Sequence, residues 1–156
     1  MQWPRVLASV VTISAGLFLA LGSAAGPTGP APASAPSPID NLRTLSRRQV
    51  EEYASSTDTF VRAHGASKAS EAATDQVRQK LKDPDSARFQ NVRLVPYASG
   101  KVVCGEVNAK NSYGGYVGYT PFVAGVLGAT IYDPNKSEYA ELNAAWNAGL
   151  VSACGP

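Results

Sequence analysis

Hydrophobic and polar positions divide this chain into zones with different periods. The first zone is a mostly apolar run from Val6 to Leu21, preceded by one positive charge, Arg5, and followed by Ser23, Ala24 and Ala25. Charged, apolar and small residues in that order mark a secretory signal peptide, residues 1–25, with cleavage expected after Ala25. The run holds Ser9, Thr12, Ser14 and Gly16, and it is short and weak for a span that needs about 20 apolar residues. No cysteine stands at the cleavage region, so no lipid anchor is expected. Gly26 to Ser37 then reads GPTGPAPASAPS, with no charge and no large apolar side chain. Such a stretch cannot bury enough surface to offset chain entropy, and its prolines favour extended conformers. Residues 26–39 are read as a linker, and residues 40–156 as one domain.

From Asp40 to Lys82 the apolar positions follow a helical period. Leu42, Leu45 and Tyr53 share one side, and Ala69, Ala73, Val77 and Leu81 recur every four residues. Ser55 to Asp58 reads as a cap and His64-Gly65 as a stop, which predicts two or three helical segments, the strongest over 68–82. Asp83-Pro84-Asp85-Ser86 breaks the pattern, with Asp83 as a cap and Pro84 opening a short turn. From Gln90 the period changes to two. Strands are predicted over Asn91–Pro96, Lys101–Lys110 and Tyr116–Val126, with a short fourth over Ala129–Tyr132. Ala98-Ser99-Gly100 and Asn111 to Gly115 read as turns between them. A last helix is predicted from Asp133-Pro134-Asn135, capped by Asn135 and Glu138, with Tyr139, Leu142, Trp146, Leu150 and Ala153 as its buried face. The fold class is α+β: N-terminal helices, a 3–4-stranded antiparallel meander and a C-terminal helix packed on the sheet.

Composition changes the picture in two places. Loss of Arg5 with the signal peptide leaves 13 basic residues against 12 acidic ones. A near-neutral chain lacks the basic surplus expected of a nucleic-acid binder or of polybasic membrane association, and no stable membrane span remains after cleavage. The chain also holds two cysteines, Cys104 mid-strand and Cys154 at the end of the last helix. In an exported domain two cysteines are expected to pair, pinning helix to sheet. Cys104 must then face the last helix, which puts Val102, Cys104, Glu106 and Asn108 on one face and Val103, Gly105, Val107 and Ala109 on the other. Either helices cover both faces, or Glu106 is partly buried and needs a partner, or a bulge at Gly105 shifts the register.

Candidate chemistry concentrates in CGEVNAKNSYGGYVGY, residues 104–119. Glu106, Asn108 and Asn111 offer directional hydrogen bonds, and Tyr113, Tyr116 and Tyr119 offer flat faces with polar tips. These six are the candidate ligand-binding residues; the competing reading is a hairpin whose Asn and Gly residues make the turn while its tyrosines pack on the sheet. His64 is the lone histidine, and no G-x-S-x-G accompanies it. With the cysteines paired, no metal ligand set is left, and no phosphate-binding glycine loop occurs, so no cofactor is implied. A two-carboxylate hydrolase would need Glu106 with an acid such as Asp133 or Glu138.

Three segments carry a resemblance: Asp83-Pro84-Asp85-Ser86-Ala87-Arg88-Phe89, then Cys104 to Asn111, then Gly114-Gly115-Tyr116-Val117-Gly118-Tyr119. Together, over about residues 75–125, they resemble an uncharacterised group of small bacterial and phage-borne proteins that are mostly exported or lipid-anchored. The resemblance implies a bacterial origin and an export-compatible domain, and it transfers no catalytic residue. The expectation is a periplasmic or secreted, non-enzymatic binding module of the cell envelope, with a glycan, peptide or protein as its partner. The alternatives are an inhibitor of a secreted hydrolase, inserting the Asn111–Gly115 loop, and a cell-wall hydrolase using Glu106.

Overall fold

The computed structural model describes residues 35–155. The expected signal peptide and most of the expected linker lie outside them. Helix α1 runs Pro38–His64. The Ser37 hydroxyl accepts the Asp40 N–H at 3.2 Å, and Pro38 occupies the first turn, where its missing N–H costs nothing. The helix thus begins inside the segment read as linker. It passes through Ser55–Asp58 without a break, which corrects the cap expected there. Thr57 and Asp58 are buried instead. The Thr57 hydroxyl accepts the Val126 N–H, and Asp58 accepts hydrogen bonds from Lys101 and Arg62. Leu45, expected on the inner side, is 62% exposed. Gly65 ends the helix with φ +89°, a backbone angle that glycine adopts without strain. Helix α2, Ala66–Arg78, buries Ala69, Ala73 and Val77, the four-residue stripe of the sequence.

A 3-10 turn, Pro84–Ser86, follows, with the Asp83 carboxylate accepting the Ser86 N–H. Four strands come next: β1 Arg88–Tyr97, β2 Gly100–Asn108, β3 Thr120–Gly125 and β4 Gly128–Ile131. They form one antiparallel meander in the order β1-β2-β3-β4, so the structure is α+β. Pro96 sits in β1, an edge strand, where a missing N–H is tolerated. The third strand starts at Thr120, not Tyr116; only an isolated Lys110–Tyr116 bridge precedes it.

Helices cover both faces of the sheet. Val50, Tyr53 and Ala54 of α1 pack with Val102, Cys104, Val123, Leu150 and Ala153. Ala73 and Val77 of α2 pack on the opposite face with Val103, Val107, Phe122, Ala124 and Ala129. The bulge lies across from Gly105, not at it: register shifts between Gln90 and Arg93, where Asn91 has φ +55°. Asparagine is among the few residues that enter this left-handed region readily. The extra residue lets Phe89 and Leu94, five apart, both face the α2 side. Gly105 leaves room there for the Phe122 ring, which a Cβ would approach at 2.8 Å.

The last helix is two: α3 Ala140–Trp146 and α4 Ala148–Cys154. The expected Asn135–Glu138 capping box does not form. The Asn135 N–H bonds the Asp133 carboxylate, and α3 starts after Tyr139 without a side-chain cap. The Ser46 hydroxyl of α1 serves the junction, donating to Trp146 O at 2.8 Å and accepting the Gly149 N–H at 2.9 Å. The expected inner face is also corrected. Leu150 and Ala153 are buried, but Tyr139 is 68% and Trp146 42% exposed, while Asn143 and Asn147 point inward. Cys104 and Cys154 form a disulfide across a separation of 50 residues, which is compatible with an extracytoplasmic setting. Among the described residues no helix is long and apolar enough to cross a membrane.

Candidate functional site

The segment from Asn108 to Thr120 leaves the sheet as a hairpin loop that its own side chains brace. Asn111 makes the tip. Its backbone carbonyl accepts the Gly114 N–H at 3.0 Å, and its side-chain oxygen accepts the N–H groups of Tyr113 at 2.9 Å and Gly115 at 3.1 Å. Asparagine does this because its short side chain mimics a backbone carbonyl. Gly114 supplies the positive φ, +80°, that closes the turn. The Asn108 side chain accepts the Gly118 N–H and ties down the return limb.

Ser86 anchors the loop from outside. Its hydroxyl accepts the Lys110 N–H at 2.9 Å, and its carbonyl accepts the Tyr116 hydroxyl at 3.2 Å. The Arg88 guanidinium lies 4.4 Å from the Tyr116 ring centre, a cation–π contact that pins the ring. Asp83-Pro84-Asp85-Ser86 is therefore a bracket for the hairpin. Ser86 and Arg88 were not singled out as site residues. The Asp-Pro-Asp-Ser turn marked a break in the sequence, but not what would dock on it.

The six candidate residues divide into three groups. Asn108 and Asn111 point their polar groups into the loop, and Tyr116 points its hydroxyl to Ser86; all three hold its shape. Tyr113 and Tyr119 turn outward, with Val117 between them; Tyr113 is 96% exposed. Glu106 belongs elsewhere. It lies half-buried on β2, beside the disulfide, in a groove of about 410 Å³ that also meets Asn91, Arg93, Cys154 and Gly155. One of its oxygens accepts the Gln90 amide at 2.7 Å and the Asn91 amide at 3.0 Å. Arg93 donates to the Cys154 carbonyl. The left-handed Asn91 thus bends β1 and also holds the carboxylate.

No tyrosine lines this groove, and Glu106 is its single carboxylate among the described residues. Asp133 lines a different groove, with Trp146. Comparison of the chain with protein-family models, curated proteins and solved structures finds no match.

Proposed function

We propose that this protein is an exported, non-enzymatic binding module of the cell envelope that engages a partner protein through the hairpin loop Asn111–Tyr119. One observation carries the reading. The loop turns its hydrogen-bonding groups inward to fix its own shape and leaves Tyr113, Val117 and Tyr119 to solvent. A free loop gains nothing by exposing three large side chains, and apolar side chains left to solvent on one braced loop offer a surface for interaction. Tyrosine suits this role because it offers a wide contact area at low cost in side-chain entropy. A braced loop has also lost its conformational freedom before it binds, which lowers the entropy cost of association. A loop of fixed shape suits a protein surface better than it suits a flexible glycan.

The fixed shape of the loop also favours inhibition of a secreted hydrolase as the second reading, with the loop seated in the enzyme's cleft. The test is retention of envelope proteins on immobilised protein, followed by inhibition assays on lysozyme-like enzymes and proteases. Tyr113→Ala with Tyr119→Ala should weaken retention at least tenfold while the melting temperature stays unchanged. Equal retention by wild type and variant rejects the hairpin as the binding surface. Retention without inhibition of any enzyme in the panel supports the module and rejects the inhibitor.

A further inference from the structure

A second surface, built around Trp146, is independent of the hairpin. Trp146 ends α3 with 42% of its surface exposed. It lies at one side of a groove of about 560 Å³. The same groove is lined by Lys80, which follows α2, and by Gln49 of α1. Thr130 of edge strand β4 and Tyr132 just beyond it also line the groove. Lys136 lines it too, with its ammonium 4.0 Å from the Trp146 ring centre.

Lys136 reaches that place on a loop without regular structure, and the loop is held from below by two buried asparagines. Asn143, 8% exposed, donates to the carbonyls of Pro134 at 2.7 Å and Ser137 at 2.9 Å and accepts the Ser137 N–H at 2.8 Å. Asn147, 3% exposed, donates to the Asp133 carbonyl at 2.8 Å and accepts the Asp133 N–H at 3.1 Å. Buried carboxamides in a small core are costly unless every group is paired. Here every bond but one, to the Asn143 carbonyl, goes to fixing the loop that carries Lys136.

The lining has the chemistry of a sugar site. An indole face stacks on the C–H face of a pyranose ring. The Thr130 and Tyr132 hydroxyls and the Gln49 carboxamide match sugar hydroxyls. The Gln49 NH2 group donates to Tyr53, which leaves its carbonyl as an acceptor. The lining holds two lysines, Lys80 and Lys136, and one carboxylate, that of Asp133, which already accepts the Asn135 N–H. The excess is positive, so the fitting ligand carries negative charge.

We propose that the Trp146 groove binds an anionic oligosaccharide, with a sugar ring on the indole and its acidic group on Lys136 and Lys80. Free Lys136 covers the indole as a cation–π partner, and the ligand takes the ammonium over as an ion pair.

The test is tryptophan emission of the exported protein titrated with a short oligogalacturonate and with its carboxyl-reduced neutral counterpart. Trp3 lies in the expected signal peptide, and the Trp146→Phe variant assigns the signal. The oligogalacturonate should shift the emission saturably, and the neutral sugar should bind at least tenfold more weakly. Lys136→Ala and Lys80→Ala are changes at exposed positions, and each should weaken binding about tenfold. Tyr113→Ala should leave it unchanged. Equal binding of the two sugars, unaltered affinity in both lysine variants, or no response to either sugar overturns the proposal. A stronger response to poly-glutamate than to the sugar overturns it as well, because the site then reads an acidic peptide.

Discussion

Asn111, Asn143 and Asn147 turn their carboxamides onto backbone groups of loops, and Asn91 turns its own onto Glu106. Asn111 was legible as a turn former because its neighbours Gly114 and Gly115 announce the turn. Asn143 and Asn147 were not, because a hydrophobic pattern counts asparagine as polar and assigns it to the outer face of a helix. Trp146, counted as apolar, went to the inner face for the same reason. Asp58 belongs to this group of misread residues. It is buried, and its hydrogen bonds from Lys101 first and Arg62 second hold its carboxyl below the ordinary aspartate range. A depressed folded value means that the ion pair stabilises the protein fully above the unfolded value, about 3.9, and stops doing so as pH falls through the folded one. Asp58→Asn should therefore lower the urea midpoint at neutral pH. The gap to wild type should begin to shrink below about pH 4 and close as pH falls through the lowered folded value. A gap of constant size down to pH 2 would show that the charge is not what Asp58 contributes.

At the scale of elements, the helical stripe of α2, the Gly65 break and the order of four strands could all be read from the chain. What could not be read was where an element stops. Nothing in the sequence distinguishes a cap at Ser55–Asp58 from a buried polar turn of one long helix, because only the docking of Thr57 and Asp58 on the sheet decides it. The break between α3 and α4 has the same origin. Ser46, about a hundred positions earlier in the chain, satisfies the backbone groups that the break exposes. Gly149 allows this crossing. A Cβ there would overlap the Ser46 carbonyl oxygen and come within 2.7 Å of Val50 Cγ2. Gly149→Ala should cost about 1–3 kcal/mol, read from chemical unfolding. An unchanged midpoint would mean that the two helices separate without loss.

For the molecule as a whole, the disulfide and the two-sided packing act together. Cys104 and Cys154 link the second strand to α4 on one face, while α2 closes the other. Closing a loop of 50 residues removes unfolded-state freedom worth about 4 kcal/mol in the chain-entropy model. Cys104→Ala with Cys154→Ala should lower unfolding stability by about that amount; a loss below about 1 kcal/mol would mean that the layers hold without the link. The chain by itself determined the class of fold, the antiparallel order of the strands and the pairing of its two cysteines. Those follow from local periods, turn residues and a cysteine count, all of which act over short stretches. Tertiary structure alone decided that the sheet is covered twice, that Glu106 lies in a groove no tyrosine lines, and that Trp146 lines another groove. Each of these depends on which residues meet across gaps of tens of positions. A bulge one residue long at Asn91 is enough to change which side chains share a face, and periodicity within one segment carries no record of it.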